Sequence, residues 1–135
     1  MMEIEKAFPP SRKRILVVDD SALVRLYCGD ALAKAGFEVE QAINGIEAME
    51  KILTRAFDLV IVDINMPRMD GLSFLRALRR GARDVATLPA LMITTEDGEQ
   101  DIEDARAAGA NFYLVKPVSE ADLRRYAAVL TGAPE

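Results

Sequence analysis

Apolar residues follow two alternating periods along this chain. Ile15-Leu16-Val17-Val18 is a short, mostly β-branched run that ends in Asp19-Asp20. It reads as a strand buried on both faces. Val24, Tyr27, Cys28, Ala31, Leu32 and Ala35 then recur at spacings of three and four, which predicts a helix with one apolar stripe. Gly36 stops it, as glycine does just past a helix C-terminus. Gly29, within the helix, costs about 1 kcal/mol relative to alanine.

The succession repeats four more times. Residues 37–42 alternate as a second strand, and Asn44-Gly45 opens a helix with Ile46, Met49, Ile52 and Leu53 on its inner face. Residues 58–62 form a third strand that ends at Asp63. A third helix over about 71–80 turns Leu72, Leu75 and Leu78 inward. Residues 89–94 form strand four, and helix four spans 98–108, closed by Gly109. Residues 111–115 form strand five. Ser119 caps a fifth helix with Leu123, Tyr126, Ala127 and Leu130 inward.

Five strand–helix units with strands this apolar predict an α/β fold: a five-stranded parallel sheet covered by helices on both faces. No repeat or internal linker interrupts residues 14–135, which read as one domain. Residues 1–13 read as a tail, stiffened by Pro9-Pro10, with the basic Arg12, Lys13 and Arg14 where it meets the domain.

Ligands of an open α/β sheet bind outside the carboxyl ends of its strands. Chain order alone gathers a particular set of groups there: Asp19 and Asp20 after strand one, Asp63 after strand three, Thr94-Thr95 after strand four and Lys116-Pro117 after strand five. Taken singly, each has an ordinary reading as a cap or a turn. Together they place three repelling carboxylates beside one ammonium and one hydroxyl. A hard divalent cation with oxygen ligands, Mg²⁺ first with Mn²⁺ as a substitute, relieves that repulsion. Metal, lysine and hydroxyl around a carboxylate suit phosphoryl transfer onto that carboxylate.

Composition narrows the chemistry. The 135 residues contain no histidine, which excludes a Ser-His-Asp triad, an imidazole base, a histidine-ligated metal and an internal phosphohistidine. The single cysteine, Cys28, excludes an internal disulfide and a cysteine-rich zinc site; it reads as a buried helix residue. A net charge of −5 argues against gripping nucleic acid by charge. No apolar run is long enough to cross a bilayer and no signal-peptide pattern opens the chain, so no membrane partner is expected and the expected location is cytoplasmic.

The motifs Leu-Val-Val-Asp-Asp (16–20), Val-Asp-Ile-Asn-Met-Pro-Arg-Met-Asp-Gly (62–71), Leu-Met-Ile-Thr-Thr-Glu (91–96) and Tyr-Leu-Val-Lys-Pro (113–117) resemble the receiver domain of bacterial two-component response regulators. The stand-alone, CheY-like chemotaxis regulators are nearest in style, and the likeness spans 14 to about 131. It implies a flavodoxin-like, doubly wound sheet of order 2-1-3-4-5 with five helices.

The resemblance also implies roles. Asp63 matches the acceptor of a phosphoryl group from a phosphohistidine on a sensor histidine kinase or phosphotransfer protein. Asp20 matches a direct Mg²⁺ ligand, Asp19 a ligand acting mostly through water, and the backbone carbonyl of Asn65 the third protein ligand. Lys116 matches the lysine that pairs with phosphoryl oxygens, preceding a cis bond to Pro117. Thr94 and Tyr113 match the switch pair, and Asn65 and Glu96 the positions that tune phosphoryl lifetime, here a short one. The switched surface is helix four, strand five and helix five, where a downstream protein docks. Since the last helix ends close to Glu135, output is expected through docking, possible pathways being chemotaxis or a non-chemotaxis relay in which the chain is an intermediate or phosphate sink.

Three features depart from or colour that pattern. Thr95 stands where a small residue is usual. Six acids, Glu96, Asp97, Glu99, Asp101, Glu103 and Asp104, crowd the start of helix four; they suit the helix dipole, or a basic partner. Arg76, Arg79, Arg80 and Arg83 read as a solvated face. Two other functions share part of this pattern. A haloacid-dehalogenase-type phosphohydrolase wants a second Asp two residues after the nucleophile, where this chain has Asn65. A flavodoxin-like cofactor module wants a Ser/Thr/Gly-rich phosphate loop after strand one, where this chain has Asp19-Asp20-Ser21.

Overall fold

The computed structural model describes residues 12–134, so most of the expected tail, 1–13, lies outside the described residues. Five strands are present: β1 (Arg14–Val18), β2 (Glu38–Ala42), β3 (Leu59–Val62), β4 (Ala90–Thr94) and β5 (Phe112–Val115). Between and after them run α1 (Ala22–Lys34), α2 (Gly45–Thr54), α3 (Gly71–Arg79), the single-turn α4 (Arg83–Ala86), α5 (Glu99–Ala108) and α6 (Glu120–Thr131). All pairings are parallel, in the order β2-β1-β3-β4-β5. The winding direction therefore reverses between β1 and β3, and the crevice that this opens lies at their carboxyl ends.

Period-two alternation divides the core into two layers. Ile15 and Val17 of β1, with Leu59, Ile61, Leu91 and Ile93, pack under α1 and α6 through Cys28, Ala31, Leu32, Leu123 and Ala127. Leu16 and Val18, with Val60, Val62, Ala90 and Met92, face α2, α3 and α5 through Ala48, Ile52, Phe74, Leu75, Leu78, Ala105 and Ala108. Helix starts are fixed by side-chain caps: Ser21 accepts from the Val24 N–H, Asn44 from Glu47, Asp70 from Ser73 and Ser119 from Asp122. Gly109, at φ 111°, ends α5 in the left-handed conformation that glycine adopts without strain.

The described residues form six helices, not five: α4 is one turn long, too short to leave a periodic signal, and Val85 holds it against the core. Of the expected inner face of α2, Ile52 is buried and Met49 packs against the core, but Ile46 and Leu53 are exposed; the small Ala48 is buried beside Ile52 and lets the helix approach the sheet. Tyr27 is also exposed, with its hydroxyl donating to the Val118 carbonyl at 2.7 Å. β5 is the edge strand that the order 2-1-3-4-5 implies, with Phe112 and Val115 open to solvent.

Arg79 is the sharpest departure from the solvated basic face. Its guanidinium is partly buried and donates to the carbonyls of Gly109 (3.0 and 2.7 Å), Ala86 (2.9 Å) and Leu88 (2.6 Å), and to Asn111 Oδ1 (3.1 Å). Burial lowers its pKa. One side chain thus ties α3 to the segments that lead into β4 and β5. Arg79→Ala leaves these carbonyls without a donor and is expected to destabilise the domain by about 2 kcal/mol in urea unfolding. An unchanged midpoint would mean that water replaces the clasp.

Candidate functional site

The site is assembled by backbone that the sheet holds in place. The Asp63 N–H donates to the Val18 carbonyl at 3.1 Å, and the Asp19 N–H to the Ala42 carbonyl at 3.1 Å, so each acid follows directly from a paired strand. The Lys116 N–H donates to the Thr94 carbonyl at 2.8 Å, which sets the lysine beside the same edge. The Lys116–Pro117 bond is cis.

One oxygen from each of Asp19, Asp20 and Asp63 lies within 4.8 Å of the others. Asp63 is 8% exposed, Asp19 3% and Thr94 0%, whereas Asp20 is exposed. Lys116 Nζ is 2.9 Å from Asp19 Oδ2 and 3.4 Å from Asp63 Oδ2. Asp19 Oδ1 accepts from the Ser21 N–H, and Asp63 Oδ1 from the Ile64 N–H, both at 2.8 Å. Both oxygens of Asp19 are therefore engaged by the protein. Asp20 makes no hydrogen bond or ion pair among the described residues and keeps both oxygens free.

Three carboxylates against one ammonium leave two uncompensated negative charges, the charge of one divalent cation. The donor set is all oxygen, with no soft ligand. It fits a hard cation such as Mg²⁺ and not a thiolate- or imidazole-seeking metal.

The electrostatics bear this strain. Burial pushes the Asp63 carboxyl above its ordinary pKa; the Lys116 charge opposes this, the Asp19 charge adds to it, and the nearby Thr94 hydroxyl and the Ile64 N–H pull it back. Burial works to lower the pKa of the Lys116 ammonium, but its bond to Asp19 and the charges of Asp63 and Asp19 outweigh burial and leave it raised. Lys116 is therefore a fixed cation at neutral pH, unsuited to accept a proton.

A second chain of contacts runs outward from Thr94. The Glu96 N–H donates to Thr94 Oγ1 at 3.3 Å, and the Tyr113 hydroxyl donates to the Glu96 carbonyl at 2.6 Å. The Asn65 side-chain amide donates to Glu96 Oε1 at 2.8 Å, bridging the loops after β3 and β4 at the mouth of the site. Burial, with the charges of Asp101, Glu96 and Asp97, pushes the Tyr113 hydroxyl up to about 12, so it stays a donor.

All eight residues singled out in the sequence thus gather at one edge. Sequence reading missed two neighbours. Arg25 of α1 donates to the Asp19 carbonyl at 2.7 Å. An apolar hollow of about 370 Å³ opens beside Lys116, lined by Leu23, Val24, Tyr27, Cys28, Ile93 and Val118 among others. Burial, with the Asp19 charge, pushes the Cys28 thiol up to about 11, against the pull of Lys116, which makes it a packing residue rather than a nucleophile.

The family model for the response regulator receiver domain matches residues 15–128. Chemotaxis protein CheY1 of Helicobacter pylori (strain ATCC 700392 / 26695) is 38% identical over 121 residues, spanning 88% of this chain and 97% of that one. A protein-glutamate methylesterase/protein-glutamine glutaminase of Archaeoglobus fulgidus is 43% identical over 107 residues, which is 77% of this chain and 30% of that protein. Among solved structures, chemotaxis response regulator CheY4 of Vibrio cholerae aligns with a TM-score of 0.83 at 36% identity, covering 89% of this chain and 99% of that one. With the motifs, the winding order and the acid cluster in agreement, the chain belongs to the family of response regulator receiver domains, of the CheY-like kind.

Proposed function

We propose that this chain is a phosphorylation-controlled switch in which Asp63 accepts a phosphoryl group from a sensor histidine kinase or phosphotransfer protein. One observation carries the reading: a nearly buried carboxylate, Asp63, held between two further carboxylates and a fixed ammonium. With no histidine in the chain, the donor is a separate molecule.

Asp63 has one oxygen fixed by the Ile64 N–H, which leaves the other to attack phosphorus. Asp20, with both oxygens free, would hold the cation directly together with Asp63 and the Asn65 carbonyl, and Asp19, already bonded through both of its own oxygens, would support it from behind. Bound Mg²⁺ supplies neutralisation of charge on the transferring group. Lys116 then turns from Asp63 toward the new phosphoryl oxygens, and Thr94 gives its hydroxyl to the same anion. Thr94, Glu96 and Tyr113 are joined by hydrogen bonds, so a move of Thr94 is felt at Tyr113 on β5. The Asn65–Glu96 bridge stands where attacking water enters and sets the phosphoryl lifetime. The chain catalyses only its own phosphorylation and dephosphorylation.

Output is docking of a downstream protein on α5, β5 and α6. Phe112, Val115 and Val129 are exposed there, with Phe112 edge-on to Tyr126 at 5.4 Å. The acids of α5 fit a basic partner. The chemotaxis names of the similar CheY1 and CheY4 support a chemotaxis pathway; a relay intermediate or phosphate sink would use the same chemistry. No helix among the described residues is long and apolar enough to cross a membrane, and the cytoplasm is the expected compartment.

The direct test is incubation of the full chain with acetyl phosphate and Mg²⁺. A phosphoryl group labile to hydroxylamine should appear on the peptide that contains Asp63, and EDTA should prevent it. Label on a serine or threonine peptide, or label indifferent to EDTA, would overturn the reading.

A further inference from the structure

Asp20 poses a problem of positioning. Its carboxylate is exposed and makes no bond to hold it among the described residues, unlike those of Asp19 and Asp63. Where it points depends on its backbone, and therefore on the plane of the Asp19–Asp20 peptide. That peptide's carbonyl belongs to Asp19, and Arg25 Nη1 donates to it at 2.7 Å. Arg25 is itself oriented: its Nε donates to Gln41 Oε1 of β2 at 3.1 Å. Its backbone is fixed in the first turn of α1, where the Arg25 N–H donates to the Ser21 carbonyl at 3.1 Å. The rigid fork of the guanidinium can serve both acceptors at once.

The geometry points to Arg25, braced by Gln41, as a positioning residue for divalent-cation binding: it fixes the Asp19–Asp20 peptide so that Asp20 faces Asp63. This rests on the cation reading of the site. Arg25 touches neither the reacting carboxylate nor the Lys116 ammonium in any contact of the structure; its action passes through the backbone.

Charge and position predict opposite signs here. A guanidinium beside an acidic cation site repels the cation, so deleting it for its charge alone would tighten cation binding. Deleting it for its positioning bond loosens binding, because partners behind the direct ligands typically contribute roughly 10- to 100-fold in affinity.

The test is Mn²⁺ binding to the full chain, followed by the electron paramagnetic resonance signal of free Mn²⁺, with melting in metal-free buffer to confirm that each variant is folded. Arg25→Ala should weaken Mn²⁺ binding roughly tenfold or more, and Arg25→Lys, which keeps a donor, should recover part of the loss. Gln41→Ala removes the brace without altering charge and should also weaken binding, which keeps the test open if Arg25→Ala does not fold. Asp20→Ala separates the two layers of argument. If it binds Mn²⁺ like wild type, the cation reading itself fails. If Asp20→Ala loses binding while Arg25→Ala and Gln41→Ala bind as tightly as wild type or tighter, the positioning role is overturned and the cation site stands.

Discussion

Asp63→Asn is expected to accept no phosphoryl group from acetyl phosphate and yet to be a more stable protein. The loss follows from the nucleophile: an amide oxygen carries no charge to direct at phosphorus, Asp19 is buried but has both oxygens bonded, and Asp20 is exposed and makes no ion pair with Lys116. Residual labelling at the level of wild type would place the acceptor elsewhere.

The gain in stability follows from the direction of the Asp63 pKa. Burial raises it above the ordinary 3.8 despite Lys116. The unfolded chain therefore ionises this group more readily than the folded one does. Below the ordinary value the group is protonated in both states and costs nothing. From the ordinary value up to the raised folded value the cost of ionisation accumulates, and above the folded value it weighs against folding in full. The melting-temperature difference between Asp63→Asn and wild type, in metal-free buffer, should thus be small in acid and grow toward pH 7. Adding Mg²⁺ should reverse the ranking, because it stabilises the chain that binds it. A wild-type protein that stays the less stable of the two at saturating Mg²⁺ would argue that no cation joins these carboxylates.

The parts of this molecule that a reader of the sequence can see are those that depend on side-chain type repeated at a period. The strands announce themselves by runs such as Leu59–Val62, and the acids, hydroxyl and lysine stand at strand ends where parallel topology must collect them. What stayed hidden depends on backbone or on rotation. Arg79 bonds to carbonyls of Gly109, Ala86 and Leu88, and every residue has a carbonyl, so no letter marks the partners. Arg25 is hidden for the same reason. In α2 the two isoleucines of the expected face part company, Ile52 buried and Ile46 exposed, and the small Ala48 is buried with Ile52, although small residues carry little weight in a hydrophobic pattern. The Asn65–Glu96 bridge joins residues that the resemblance pairs by role, and only the folded chain shows that they touch.

Gly71→Ala is expected to be the most damaging single-methyl change near the site, costing about 3 kcal/mol and lowering the melting temperature by roughly 10 °C. Gly71 opens α3 where the helix comes back against the end of β3, and its N–H donates to the Ile64 carbonyl at 2.8 Å. A Cβ there would stand 2.1 Å from the Asp63 carbonyl oxygen, 2.9 Å from its carbon and 3.0 Å from the Ile64 Cα. All three atoms are backbone, so no rotamer relieves the clash. Asp63 cannot withdraw, because its N–H is tied to Val18 in the sheet. α3 cannot slide away freely, because Phe74, Leu75 and Leu78 anchor it in the core. The remaining escape is a twist of the Asp63–Ile64 peptide, whose N–H orients Asp63 Oδ1. The folded fraction of Gly71→Ala should therefore also label more slowly with acetyl phosphate, by roughly 10- to 100-fold, since small misplacements of a nucleophile carry penalties of that order. Comparison at a temperature where both proteins are folded separates the two effects. A variant that melts with wild type would mean that the turn before α3 has slack. One that melts low but labels at the wild-type rate would mean that the helix yields and the carboxylate does not.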